Sequence, residues 1–545
     1  MPALVLGPLL RHVDSHSATV WVETDGPCRV EVLDGSADTF HVAGHHYALV
    51  VVEGLQPAGS TPYEVRLTGR GDDEPVLVWP ETGSTYPQSR IRTLGRDEPF
   101  SLIFGSCRYA RPATAGSDRD LPPDALDTYA ARMADQPEDT WPDALLLLGD
   151  QVYADETTEH TQAYLAHRRD LSAPPYAEVA DFEEYTHLYL ESWTDPEIRW
   201  LLSTIPTSMI FDDHDVRDDW NTSHAWRQQM QATSWWQPRI EGALMTYWIY
   251  QHLGNLSPSD LADNELWRQV HQVEDGEQVL REFAKAADAE ADGHKGTRWS
   301  YRRDFGRTRL LVIDTRCGRI LQDRRAMVGD NEFDWIAEQA AADVDHLLIG
   351  SSLPWLMAHA LHDAEAWNEA LCTRFDGRLL GRAAEKFRQF ADLEHWSSFD
   401  ESFRRLSDLF ADIGSREGAP ATISVLSGDV HHAYVAEAHF PRELRSRVFQ
   451  LTCSPVHNAV PGFMKIGFRL GWSRLARGLT RVVGRLFGVP ALPVRWVKTV
   501  GPFFANQLAT VTLSGRSAQF RLERTERAAA GPRLTGAADL ALHEE

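Results

Sequence analysis

Cysteine is scarce in this chain. The five present (Cys28, Cys107, Cys317, Cys372 and Cys453) are scattered over 545 residues and form no CxxC. That excludes a disulfide framework or a zinc knuckle as the organising device and fits a reducing compartment. Long apolar runs are missing too, since no uninterrupted stretch reaches the roughly 20 residues a membrane-spanning helix needs. The opening MPALVLGPLLRHVDSHSATVW lacks a basic n-region, a cleavage site and a twin arginine, so the expectation is a cytoplasmic protein. Basic residues are outnumbered, with 54 Lys and Arg against 79 Asp and Glu and a net charge of −25. A nucleic acid as a stable partner is thereby excluded, because phosphate backbones need a basic face. An acidic protein can still bind phosphates where metal ions reverse the local field. No internal repeat is visible.

Apolar residues make up 43% of the chain and charged ones 24%, the balance of an ordinary globular protein. Its length predicts at least two domains. ATVWVET (18–24), CRVEVL (28–33), YALVVVEGL (47–55), PYEVRLTG (62–69) and PVLVWP (75–80) are short, β-branched and punctuated by turn residues. They predict an all-β sandwich over 1–96, immunoglobulin- or fibronectin-like. From 97 to 527 apolar strands alternate with long Trp-rich helical stretches, the α/β signature. The strands are SLIFGSC (101–107), ALLLLGD (144–150), SMIFDDHD (208–215), RLLVIDTR (309–316), HLLIGSS (346–352) and TISVLSGDVHH (422–432). Their continuous hydrophobicity predicts interior strands covered on both faces. QLATVTL (507–513) and AQFRLER (518–524) predict a closing hairpin, and 528–545 is read as a disordered tail.

The strand tips carry the chemistry. Cys107 ends the first α/β strand, Asp150 the second, Asp212-Asp213-His214-Asp215 the third, and Asp429 with His431 a later one. In open α/β sheets ligands sit beyond the carboxyl ends of strands. Thiol, carboxylate and imidazole are metal-ligand types, and clustered carboxylates repel one another unless cations sit among them. Each motif alone has a plainer reading: a strand-end cysteine is usually a small core residue, and Gly-Asp ends many strands. Four together predict a metal site.

FGSCR (104–108), GDQVYAD (149–155), FDDHDVRDDW (211–220), IDTR (313–316) and SGDVHH (427–432) resemble the PhoD-like alkaline phosphatases of the calcineurin-like metallophosphoesterase superfamily. The resemblance implies a two-sheet αββα sandwich core behind an N-terminal β-sandwich. It implies a phosphoesterase that hydrolyses mono- or diesters, its small-molecule substrates, by attack of a metal-activated hydroxide. Cys107, Tyr153 and His431 are implied as ligands of Fe3+, and Asp150 as the bridge between metals. Asp213 and Asp429 are implied at a second site suited to Ca2+ or another divalent cation. Asp150, His214 and Arg108 are the implied catalytic residues, with His214 near the leaving oxygen and Arg108 neutralising phosphoryl charge. Asp218, Asp219 and Asn221 are further candidate ligands. Arg316 would hold the phosphate or pair with a nearby carboxylate, and Cys107 could instead be a redox or nucleophilic thiol. A catalytically weak, metal-dependent binding or adaptor protein on the same scaffold is the alternative function, and a metallonuclease fits the superfamily but not the global charge.

Residues 461–500 stand apart, with eight basic residues and no acidic one. Arg474, Arg477, Arg481 and Arg485 recur at helical spacing among Leu475, Leu479, Val482, Leu486 and Phe487. The stretch reads either as weak peripheral attachment to a membrane or as arginines pairing with this protein's own carboxylates.

Overall fold

Among the described residues from Leu4 to Arg92 all regular structure is β-strand, and the reason lies in the alternation. In Ala18–Thr24 the odd and even side chains are all buried, but against different partners. Val20 and Val22 join the sandwich core with Val30, Val50 and Val65, whereas Trp21 packs into the core of the following domain beside Tyr250. Two four-stranded sheets result. One orders Leu4–Val13, Ala18–Thr24, His45–Val52 and Phe40–Val42, and the other Gly35–Asp38, Cys28–Val32, Val65–Gly69 and Val76–Trp79. The computed structural model describes residues 2–71, 74–95, 98–110, 121–292, 296–322, 324–460, 462–529 and 531–544. The expected boundary between 96 and 97 therefore lies outside the described residues.

Two larger sheets follow, stacked face to face. The first orders Thr207–Ile210, Ala144–Leu148, Phe100–Gly105, Gln507–Ser514, Ser517–Ala528 and Gly531–His543. Its first three strands are parallel, so their carboxyl ends point one way. The second contains the parallel run Thr308–Ile313, His346–Ser351, Thr422–Ser427 and Arg447–Thr452. Here the expected continuous hydrophobicity divides by face. Leu348 and Leu426 share a core with Leu145–Leu148 of the other sheet. Leu347, Ile349, Ile423 and Val425 instead pack outward with Trp355, Phe403 and Phe410. Helices thus cover the far side of a two-sheet sandwich, as the resemblance implied.

Two expectations need correction. The tail is not disordered: Gly531–His543 is an edge strand paired antiparallel with Ser517–Ala528, and Leu542 is buried. Leucines at 534, 540 and 542 supply enough spaced apolar surface to seat it, a pattern easily mistaken for polar tail. The catalytic-domain strands also stop short of their motifs, at Leu148, Ile210 and Ser427. The chemistry-bearing residues sit on the turns that follow.

Candidate metal centre

Those turns are strained. Cys107, Asp150, Asp219, Asn221, Asp429 and His431 all have φ between 47° and 65°, the left-handed region that side-chain-bearing residues seldom adopt and that concentrates at functional sites. Gly149 (φ 103°) lets the second strand approach the third, since a Cβ there would lie 2.4 Å from Asp212 Cβ. At Gly428 a Cβ would lie 2.0 Å from Ser106 Oγ, so the carboxyl ends of the two sheets meet. One carboxylate holds the tips. Asp215 accepts backbone N–H groups from Asp150 (2.9 Å), Gln151 (3.2 Å), Val152 (3.3 Å) and Asp212 (2.8 Å).

Inside the frame sit Asp150, Asp212, Asp213 and Asp429. Asp150, Asp213 and His214 could converge on one ion, as could Asp212, Asp213 and Asp429. Burial, then the charges of Asp212, Asp213 and Asp215, pushes Asp150 well above the usual carboxylate range, against the pull of His214. Asp212 is likewise raised by burial, against Arg316. Asp219 is pushed up to about 10 and Asp392 to about 7, in both by burial and then Glu394. Asp429 goes the other way, to about 2: burial opposes its charge, but His395 and Arg316 stabilise it. His395 Nε2 lies 3.0 Å from Asp429 Oδ2, and its Nδ1 is 2.7 Å from Glu365 Oε1.

Cys107 is fully buried, its Sγ 3.2 Å from Ser106 Oγ and from Ser454 Oγ. Burial and the Asp150 and Asp429 charges raise its thiol pKa well above normal. Tyr153 Oη accepts from Asn458 Nδ2 at 3.0 Å and lies 3.5 Å from Asp150 Oδ2. The phenol is raised by burial, then by Asp150 and Cys107. Burial lowers His431 to about 4, leaving a neutral imidazole. His214 is the opposite case. Burial opposes its charge, yet Asp155, 2.9 Å from Nδ1, holds it as a cation.

The donor set fits metal ions. Asp150 Oδ1, Asp212 Oδ2, Asp219 Oδ1 and Asn221 Oδ1 are buried with no hydrogen-bond partner, a costly arrangement for polar oxygen. A cation in each of the two converging groups would satisfy Asp150 and Asp212 and return them to their ionised forms.

The two candidate arginines are both held by carboxylates. Arg108 is turned away, its Nε donating to Asp124 Oδ2 at 2.8 Å and Nη1 to Ser192 O at 2.7 Å. It lines a separate cleft of about 340 Å³ with Asp127 and Asp195, because a nearby helix-capping carboxylate satisfies it first. Arg316, fully buried, bonds Asp212 and Glu394, and its Nη2 stands 3.0 Å from Asp213 Oδ1. Of its two readings, carboxylate pairing is the one observed. Sequence reasoning missed Asp155, Glu365, Glu394, His395 and Asn458. Only Asp155 carried a signal, as the last residue of GDQVYAD.

Stacked sheets that gather buried acids, imidazoles, a thiol and a phenol at their carboxyl ends define the class of two-sheet phosphatase scaffolds. The profile of the PhoD-like phosphatases matches residues 122–465, and a domain of unknown function (DUF7800) matches residues 1–91. This chain belongs to the PhoD-like phosphatase family, and so to the phosphoesterases. No curated protein matches it. A solved structure described as "Structure of PhoD" is similar in fold, with a TM-score of 0.57 at 12% identity over 98% of this chain and 90% of that one. With a maltogenic amylase from S. marinus the TM-score is 0.18 at 10% identity, over 95% of this chain and 76% of that one, which is no likeness in fold.

Proposed function

We propose that this protein hydrolyses phosphate mono- or diesters in a metal-dependent reaction. Fe3+ would be held by Cys107, Tyr153 and His431, and Ca2+ or a similar divalent cation by Asp213 and Asp429, with Asp150 between them. One observation carries the reading: donor atoms of Asp150, Asp213 and His214, and of Asp212, Asp213 and Asp429, lie within 4.8 Å of one another, and Asp150 and Asp212 each keep a buried oxygen without a hydrogen-bond partner. Thiolate and phenolate suit ferric iron, and an oxygen-only pocket suits a hard divalent ion. The cations supply Lewis-acid polarisation of the phosphoryl group and acidification of water.

The chain's own residues do the rest. Arg316 bonds Asp212 and stands 3.0 Å from Asp213 Oδ1, which fixes both side chains in direction. Glu365 orients His395, which fixes Asp429 in turn. His214 has Nδ1 committed to Asp155, which leaves Nε2–H as the proton donor to the leaving oxygen. Elemental analysis of the purified protein, with turnover of a chromogenic monoester and diester, tests this. Asp150→Asn should lose bound metal and lower turnover by about 10³-fold or more, the scale of removing a principal catalytic group. Wild-type metal content and rate in that variant would sink the bridging role.

A further inference from the structure

We propose that the helical surface built from residues 378–390 and 462–486 docks this protein on an anionic lipid bilayer. The helix Arg474–Leu486 carries three faces. One is committed to the fold: Thr480 Oγ1 donates to Asp363 Oδ2 at 2.9 Å on the helix His359–Arg374, and Gly484 is buried. A second holds Leu475, Leu479, Val482 and Leu486, which are 88%, 68%, 54% and 75% exposed. The third holds Arg474, Arg477, Arg481 and Arg485.

The helix Leu379–Phe390 packs on the same His359–Arg374 helix, through Asn368 Nδ2 to Ala384 O at 2.9 Å, and repeats the pattern. Its Leu379 and Phe390 are 84% and 85% exposed beside Arg378, Arg382 and Lys386. Exposed apolar surface on this scale marks an interaction site rather than ordinary surface.

Charge selects the occupant. Residues 461–500 contain eight basic groups and no acidic one, so the rest of the chain carries 79 acidic against 46 basic residues, or −33. Among the described residues, none of those eight and none of Arg378, Arg382 and Lys386 forms an ion pair. Arg477 and Arg481 act on one of the protein's own acids, Asp363, from beyond ion-pair distance, so pairing within the chain leaves most of this basic face without a partner. A second copy would bring the same basic face against this one. Outward leucines and phenylalanines flanked by unpaired arginines match the interfacial layer of an anionic membrane, where apolar side chains enter the acyl boundary and cations stay among phosphates.

The surface also adjoins the candidate centre. Phe468, on the helix Gly462–Gly471, lies against the ring of His432, 4.4 Å between centroids, and His432 follows His431 directly. A docked molecule holds that centre beside the headgroup layer. The docking does not rest on the catalytic reading, and its test does not need turnover.

Full-length protein is sedimented with phosphatidylcholine vesicles, with and without phosphatidylglycerol. It should pellet only with the anionic vesicles, and less as added salt shortens the screening length to about 8 Å near physiological strength. R474E/R481E/R485E and L475S/L479S/L486S should each lower the bound fraction about tenfold or more, with the far-UV circular dichroism of the parent. Absence of pelleting at low salt overturns the proposal. So does pelleting of both variants at the parent's level. A dimer that L475S/L479S/L486S dissociates, or capture by polyglutamate, in either case without vesicle binding, would assign the surface to a second copy or an acidic protein instead.

Discussion

Asp215 accepts four backbone N–H groups and so ties the turn after Leu148 to the turn after Ile210. Burial pushes its carboxyl up to about 7, against the pull of those donors. Asp215→Ala would strand the donors inside the protein and is expected to cost about 3 kcal/mol or more in urea unfolding. A loss within about 0.5 kcal/mol, the size of an ordinary surface change, would remove Asp215 from the frame. At Tyr153 the question is chemical rather than structural. Its hydroxyl already has Asn458 as a partner, so the side chain would stay in place without a metal. Under the proposed assignment the ferric protein absorbs visible light through phenolate-to-iron charge transfer, and Tyr153→Phe abolishes the band while the circular dichroism is retained. A band that survives in the variant rules the phenolate out as a ligand.

At the scale of elements, the parallel strands were legible because their physics is local. Runs such as ALLLL can only be buried, and Gly-Asp after them marks where burial stops. The last strand was not legible. Gly531–His543 depends on an edge offered by Ser517–Ala528, and only one of its thirteen residues, Leu542, is fully buried. Ending the chain at Ala528 would expose that edge and remove the buried Leu542, a loss of about 1.5–3 kcal/mol from this side chain alone. The truncated protein should melt earlier and aggregate on heating, because an unpaired edge strand templates association. An unchanged melting curve would show that the strand contributes nothing.

Over the whole molecule, the sandwich and the phosphatase core are joined by buried polar contacts as well as by Trp21. Arg11 is fully buried and donates to Tyr250 O at 3.0 Å and Gln251 O at 2.7 Å. His45 bridges Glu23 at 2.8 Å and Glu183 at 2.9 Å. Burial works against the His45 charge, but the bonds to Glu183 and Glu23 raise its pKa to about 9. That lies above the unfolded value of about 6.5, so the bridge contributes fully below about pH 6.5 and is lost as pH rises through about 9. His45→Gln should cost about 1–2 kcal/mol at pH 6, after allowance for its partial exposure, and almost nothing at pH 10. A pH-independent difference in urea unfolding would refute the bridge.

The sequence by itself determined which residue types stand at the strand tips, that interior strands are covered on both faces, and that 461–500 is a basic amphipathic stretch. Each of these follows from short-range spacing. Only the tertiary structure decided that Arg316 pairs with Asp212, 104 positions away, that Arg108 turns to Asp124, and that Glu365 and His395 support Asp429. An ionised side chain takes the nearest partner in space, and which partner is nearest is a property of how the sheets stack.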